Sequence, residues 1–159
     1  MKPRPPELEK LNYFIGTWRS EGEVASGPAS PGGKLIMTER NEWMEGRFFL
    51  TLRSEFSGPT GSGTGIAYIG YDAARNVYTY DEFNSMGEVQ RSIGTLNGSD
   101  WTWAGEQHLG TNITKTRFVM KPLAPFLYAF RFETSADGNS WVTVMNGKAV
   151  KEEQTASDY

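Results

Sequence analysis

From about Thr17 to Val150 the chain alternates apolar and polar side chains in short stretches, each broken by a turn signal. A period of two puts successive side chains on opposite faces of an extended strand, so this rhythm commits most of the chain to β-structure. Candidate strands cover residues 17–26, 34–45, 48–57, 63–72, 76–84, 87–96, 100–108, 112–121, 126–135 and 140–150. The breaks include Gly58-Pro59-Thr60-Gly61, Asp72-Ala73-Ala74-Arg75, Ser85-Met86-Gly87, Asn97-Gly98-Ser99, Leu109-Gly110, Pro122-Leu123-Ala124-Pro125 and Asp137-Gly138-Asn139. Most are short enough to demand antiparallel neighbours. About ten strands in hairpin order, with no helices between them, predict an all-β, closed up-and-down antiparallel barrel, which leaves no free edge.

Ahead of the strands, Pro5-Pro6-Glu7-Leu8-Glu9-Lys10-Leu11 opens a short helix. Leu8, Leu11 and Ile15 recur near helical spacing and Gly16 is placed to end it. Such a helix is too short to stand alone, so residues 1–16 are expected to plug one end of the barrel. The Pro- and Gly-broken segment from Ala25 to Gly33 reads either as a lid over the barrel mouth or as a plain linker. Lys151 to Tyr159 reads as a polar tail, and 1–159 as one domain.

Composition closes off several chemistries. The chain has no Cys, which excludes disulfides, thiolate catalysis and Cys-rich zinc sites. His108 is the only histidine, so no multi-His metal centre can form, and its place beside a turn predicts exposure to solvent. No Gly-x-Ser-x-Gly elbow precedes a helix. Gly61-Ser62-Gly63-Thr64-Gly65 is followed by a strand, which makes it a hairpin turn instead of a phosphate loop. Net charge is −3 and the basic residues are scattered singly, so nucleic acid is not an expected partner. Met1 to Pro6 lacks the apolar core of a signal peptide, and no run of about 18 apolar residues could span a bilayer. No membrane partner is expected, and a cytoplasmic location is.

The motifs Gly16-Thr17-Trp18, Glu42 to Leu50, Gly65 to Asp72, Asn84 to Glu88 and Trp141 to Ala149, in this order, resemble the bacterial domain-of-unknown-function family 1579. Gly-Thr-Trp after a short helix is also similar to the lipocalin and calycin signature. The resemblance covers nearly the whole chain and implies a calycin-like barrel. It implies no chemistry, because the family carries no activity to transfer. The nitrobindins, a related barrel class, share a Gly-x-Trp opening and bind haem through a histidine near the C-terminal end. Residues 141–150 contain no His, so that resemblance stops short of haem, and no cofactor is expected.

Strand alternation proposes the interior. Trp18, Ser20, Gly22 and Val24 oppose Arg19, Glu21 and Glu23 and should face in, with Trp18 closing the barrel base against the helix. Tyr128, Phe130 and Phe132 face in by the same logic, as do Phe118 and Met120. In 34–45 the preferred inward set is Leu35, Met37, Glu39, Asn41 and Trp43, which buries Glu39; the competing arrangement pairs Glu39 with Arg40 or Arg53 outside. In 76–84 the choice lies between Val77, Thr79, Asp81 and Phe83 and the set Tyr78, Tyr80, Glu82 and Asn84; the second would line a cavity with two phenols, a carboxyl and an amide. Tyr68, Trp101 and Trp103 add to it, giving an aromatic pocket with few polar groups.

Three functional classes follow. The first is binding of a small hydrophobic or aromatic molecule in the cavity, with Trp43, Tyr68, Tyr78, Tyr80, Glu82, Asn84, Trp103, Phe118, Met120, Tyr128, Phe130 and Phe132 as the candidate contacts. The second is a cofactor-independent isomerase or cyclase, with Glu39 or Glu82 as the acid or base and Tyr80 as donor. The third is a solid barrel whose exterior mediates self-association, for instance as a homodimer.

Overall fold

A computed structural model describes residues 2–28, 30–109 and 111–153. Ten strands run in chain order around a closed barrel: β1 (Gly16–Val24), β2 (Gly33–Trp43), β3 (Leu50–Gly58), β4 (Gly61–Asp72), β5 (Val77–Asn84), β6 (Val89–Asn97), β7 (Asp100–Leu109), β8 (Asn112–Ala124), β9 (Leu127–Ser135) and β10 (Val142–Lys151). Every pair of neighbours is antiparallel, and β1 closes the ring by pairing with β10. Each strand expected from alternation is present, with its ends moved by a few residues. Pro122, which cannot donate to a ladder, sits in β8 where the register with β9 shifts, as the chemistry of proline requires.

The N-terminal element is a 3₁₀ helix, Pro6–Phe14. At three residues per turn, positions 8, 11 and 14 stack on one side, so Leu8, Leu11 and Phe14 are the buried face. This corrects the expected set: Phe14 takes the place assigned to Ile15, because the helix is wound more tightly than an α-helix. Ile15 is already extended, and Gly16, at φ 117°, turns the chain into β1.

A helix this short leaves carbonyls unpaired at its end, and the barrel supplies their donors. The Trp18 indole Nε1 donates to Phe14 O at 3.0 Å and the Asn41 amide donates to the same oxygen at 2.9 Å. The Tyr78 hydroxyl donates to Glu7 O at 2.8 Å, and in the other direction the helix's own Tyr13 hydroxyl donates to Ala124 O of the barrel at 2.7 Å. Around these bonds Trp18, Tyr128, Phe14 and Trp101 form a chain of aromatic contacts with centroids 4.9 to 6.1 Å apart. Trp18 is fully buried, the position expected for it. Helix and rings together close one end of the barrel.

The opposite end carries the connections β1–β2, β3–β4, β5–β6, β7–β8 and β9–β10. In the first of these Gly27 and Ser30 pair across a tight turn. Ala29 in that segment, Gly110 in the expected Leu109-Gly110 turn and 154–159 of the expected tail lie outside the described residues.

Candidate functional site

Above the helix-closed end the barrel encloses a cavity of about 260 Å³. A cavity of this size speaks against a solid barrel, the third of the functional classes: ring-filled layers stop at the base, and the wall above is partly lined by small residues. Strand β2 contributes Leu35, Met37 and Glu39, β3 contributes Leu52 and Ser54, and β5 contributes Tyr80 and Glu82. Gln90 and Ser92 come from β6, Trp103 from β7, Phe118 and Met120 from β8, and Tyr128, Phe130 and Phe132 from β9. Phe14 of the helix, Ser20, Ala67, Ile69 and Met145 complete most of the wall.

Two large rings owe their positions to glycines. Gly94 and Trp103 are register partners on β6 and β7, and a Cβ on Gly94 would run into the indole, so only glycine lets the ring lie against that strand. Trp103 is fixed further by its indole N–H, 3.3 Å from Met120 Sδ. Phe130 lies over another register pair, Gly22 and Gly147, where added Cβ atoms would stand 3.2 and 2.8 Å from its Cζ. Alternation identifies Gly22 as inward-facing, but the role of these glycines appears only once the neighbouring ring is placed.

Two carboxyls stand in this apolar wall. Glu39 is the register partner of Trp18 on one side and of Ser54 on the other. Its Oε1 accepts a hydrogen bond from Asn41 Nδ2 at 2.9 Å. Burial pushes its pKa from 4.5 to about 7; the Asn41 bond works against this rise, and the negative charge of Glu82 adds to it. Glu82 is also shifted upward by burial, opposed by the Tyr80 phenol and reinforced by Glu88. Tyr80 and Tyr128 are pushed well above the ordinary phenol range, first by burial and then by these carboxylates. Both phenols stay neutral donors at physiological pH. Asn41 Oδ1 is buried without a partner, because both hydrogen bonds of the side chain are made through its nitrogen.

The candidate contacts divide by position. Tyr80, Glu82, Trp103, Phe118, Met120, Tyr128, Phe130 and Phe132 line the cavity together with Glu39. The alternative pairing of Glu39 with Arg40 or Arg53 outside is ruled out, since its strand phase directs it inward opposite Trp18. Four other candidates lie elsewhere. Tyr68 pairs with Thr51 and Asp81 on the outer face, because Ala67 and Ile69 take the inward phase of β4. Tyr78 has the inward phase but is drawn into the base by its bond to Glu7 and its edge contact with Trp101. Trp43 likewise belongs to the base, donating to Asn12 Oδ1 at 2.8 Å and lying under the Arg4 guanidinium. Asn84 is spent on the β5–β6 turn, where its Oδ1 accepts from the N–H groups of Met86 and Glu88.

Ser54, Gln90 and Ser92 were not singled out from the sequence, and nothing in their local pattern distinguishes them from solvent-facing residues. Gln90 reaches Thr116 at 3.0 Å, two strands away, above inward-facing Gly105. His108 has an exposed side chain and does not line the cavity. Among the described residues no group of three or more His, Cys, Asp or Glu could hold a metal ion, and no helix is long and apolar enough to cross a membrane.

A family described as "Protein of unknown function (DUF1579)" matches residues 4–151. The chain belongs to the DUF1579 family. No curated protein matches its sequence. Among solved structures, the S-type phycobiliprotein lyase CPES from Guillardia theta is similar at a TM-score of 0.62 and 11% identity, with 96% of each chain covered. Rv2717c from M. tuberculosis is similar at a TM-score of 0.65 and 11% identity, over 95% of this chain and 100% of its own. At such identities the likeness speaks for the barrel alone. This DUF1579 chain therefore shares an architecture with both, and its chemistry must be argued from its own wall.

Proposed function

We propose that the protein binds a small hydrophobic or aromatic molecule inside its barrel, without a cofactor. The observation that carries this reading is the cavity itself. It is walled by Trp103, Phe118, Phe130, Phe132 and aliphatic side chains, with a few polar groups converging on it. At about 260 Å³ it falls just under the roughly 300–1,000 Å³ usual for small-molecule sites, which favours a compact ligand. Burial of apolar ligand surface supplies affinity at about 25 cal/mol per Å². Tyr80, Glu82 and Glu39 set the orientation.

The test is native mass spectrometry of protein purified from its own host, followed by mild denaturation to release any passenger. A stoichiometric small molecule, displaced by a neutral apolar fluorophore and excluded by the cavity-filling Ser92→Phe variant, is the expected result. A barrel that comes out empty across growth conditions and takes up no neutral fluorophore refutes the reading.

A second reading uses the same cavity for cofactor-independent isomerisation or cyclisation. What favours it is Glu39, whose pKa of about 7 keeps acid and base forms populated together near neutral pH. Under this reading Glu39→Gln abolishes turnover while leaving affinity intact; under simple binding there is no turnover to lose.

A further inference from the structure

The lining of the cavity is one-sided in charge. It contains two carboxyls, Glu39 and Glu82, and no lysine, arginine or histidine. Neither carboxyl has an ion-pair partner among the described residues; every bridge there joins other groups. Lys151 reaches the interior phase of β10, but its ammonium lies 5.0 Å over the Trp18 ring at the closed end and takes no part in the wall. Glu39 receives the Asn41 amide at Oε1, and among the described residues no donor bonds its Oε2. Glu82 has the Tyr80 phenol beside it. Buried carboxylates without cations are costly, and such groups are ordinarily paired.

We infer that the ligand carries a protonated nitrogen, as an amine or a protonated heterocycle on a compact apolar frame, and that Glu39 and Glu82 are its counter-charges. This rests on the binding reading above and names the ligand's chemical class. A cation supplies the missing partner to both carboxyls at once. The surrounding rings reinforce it: Tyr80 packs 5.4 Å from Trp103, and Phe118 packs 5.7 Å from Phe130, and the negative faces of such rings attract a desolvated cation. A carboxylate or phosphate ligand meets only like charge here, with no base to receive it. Fatty acids and other anionic amphiphiles are thereby disfavoured.

The arrangement also makes binding depend on pH. Facing Glu39 are Glu82 and Tyr80 from β5 and Tyr128 from β9, while β1, β3 and the helix present Trp18, Ser20, Ser54 and Phe14. The two phenols remain neutral, so the carboxyls alone titrate. Affinity for a cation therefore rises with pH as Glu39, held at about 7, and the upward-shifted Glu82 ionise.

A matched set of probes tests this: 2-naphthylmethylamine, 2-naphthalenemethanol and 2-naphthoic acid, titrated calorimetrically against the full chain at about pH 8. The amine is expected to bind roughly 10- to 100-fold tighter than the alcohol, the ratio set by one charge-assisted hydrogen bond. The acid is expected to show no binding. Glu39→Gln and Glu82→Gln should each cost the amine more affinity than the alcohol and so narrow the gap between the two probes toward parity; circular dichroism checks that both variants are folded. Equal binding of alcohol and amine, or a preference for the acid, overturns the charge assignment and leaves the container reading standing. If none of the three probes binds and a neutral fluorophore is also refused, both fall together.

Discussion

Glu39 offers a measurement of stability that needs no ligand. Moving a carboxyl from 4.5 in the unfolded chain to about 7 in the barrel corresponds to about 3 kcal/mol at about 1.36 kcal/mol per pH unit. Below pH 4.5 the group is neutral in both states and costs nothing. As pH rises toward 7 the unfolded chain releases its proton while the folded barrel holds it, so stability falls. Above pH 7 the folded state carries the full penalty of a buried charge. Glu39→Gln removes the charge and keeps an oxygen for the Asn41 amide. The variant should therefore match the parent at about pH 4 and exceed it by about 3 kcal/mol at about pH 8.5. At roughly 2–4 °C per kcal/mol for a chain of this length, its melting temperature should be higher by roughly 6–12 °C at the alkaline end. Glu82 titrates in both proteins, so its own penalty cancels apart from its repulsion with Glu39. Paired urea titrations at the two pH values give the difference directly. A gap that is constant with pH, or that opens toward acid, would show that Glu39 is not enclosed as described.

Gly94→Ala forces a methyl group into the Trp103 ring and should lower stability by about 1–3 kcal/mol, read as an earlier urea midpoint. Because the ring must move into the cavity, the same variant should also take up a neutral fluorophore less tightly. Trp18→Ala removes the largest fully buried side chain and a donor to Phe14 O; a loss of about 3–5 kcal/mol is expected in chemical denaturation. Tyr78→Phe deletes the bond to Glu7 O, with an expected loss of about 1 kcal/mol and unchanged fluorophore affinity, since the residue belongs to the base. Tyr68→Ala, on the outer face, should leave that affinity unchanged as well; a marked loss on titration would mean that the strand phase of β4 is misassigned.

The barrel was legible in the chain because its signals are local. Period-two alternation and turn residues depend on neighbours a few positions away, and a hairpin order then leaves little choice of topology. Inward phase was legible where charges mark one side, as in β1, where Arg19, Glu21 and Glu23 face out. It failed at Tyr68, where the only charge in β4 is Asp72 at its far end and aromatic character pointed inward. It was insufficient at Trp43 and Tyr78: both have the inward phase, yet whether a residue meets the cavity or the base depends on height along the barrel axis. That height is set by the helix.

Alternation and turn chemistry thus sufficed for the strands, their order, the aromatic interior and the absence of thiol or multi-histidine chemistry, since each is a property of residue type and spacing. Four matters waited for the folded chain: the 3₁₀ winding that seats Phe14 in place of Ile15, the cavity left above it, the glycine beds under Trp103 and Phe130, and the meeting of Glu39 with Glu82. Each depends on how the helix and the strands pack against one another. Glu39 and Glu82 belong to β2 and β5, and no pattern along one strand reports what faces it across a closed barrel, because that is fixed by the register of every ladder between them.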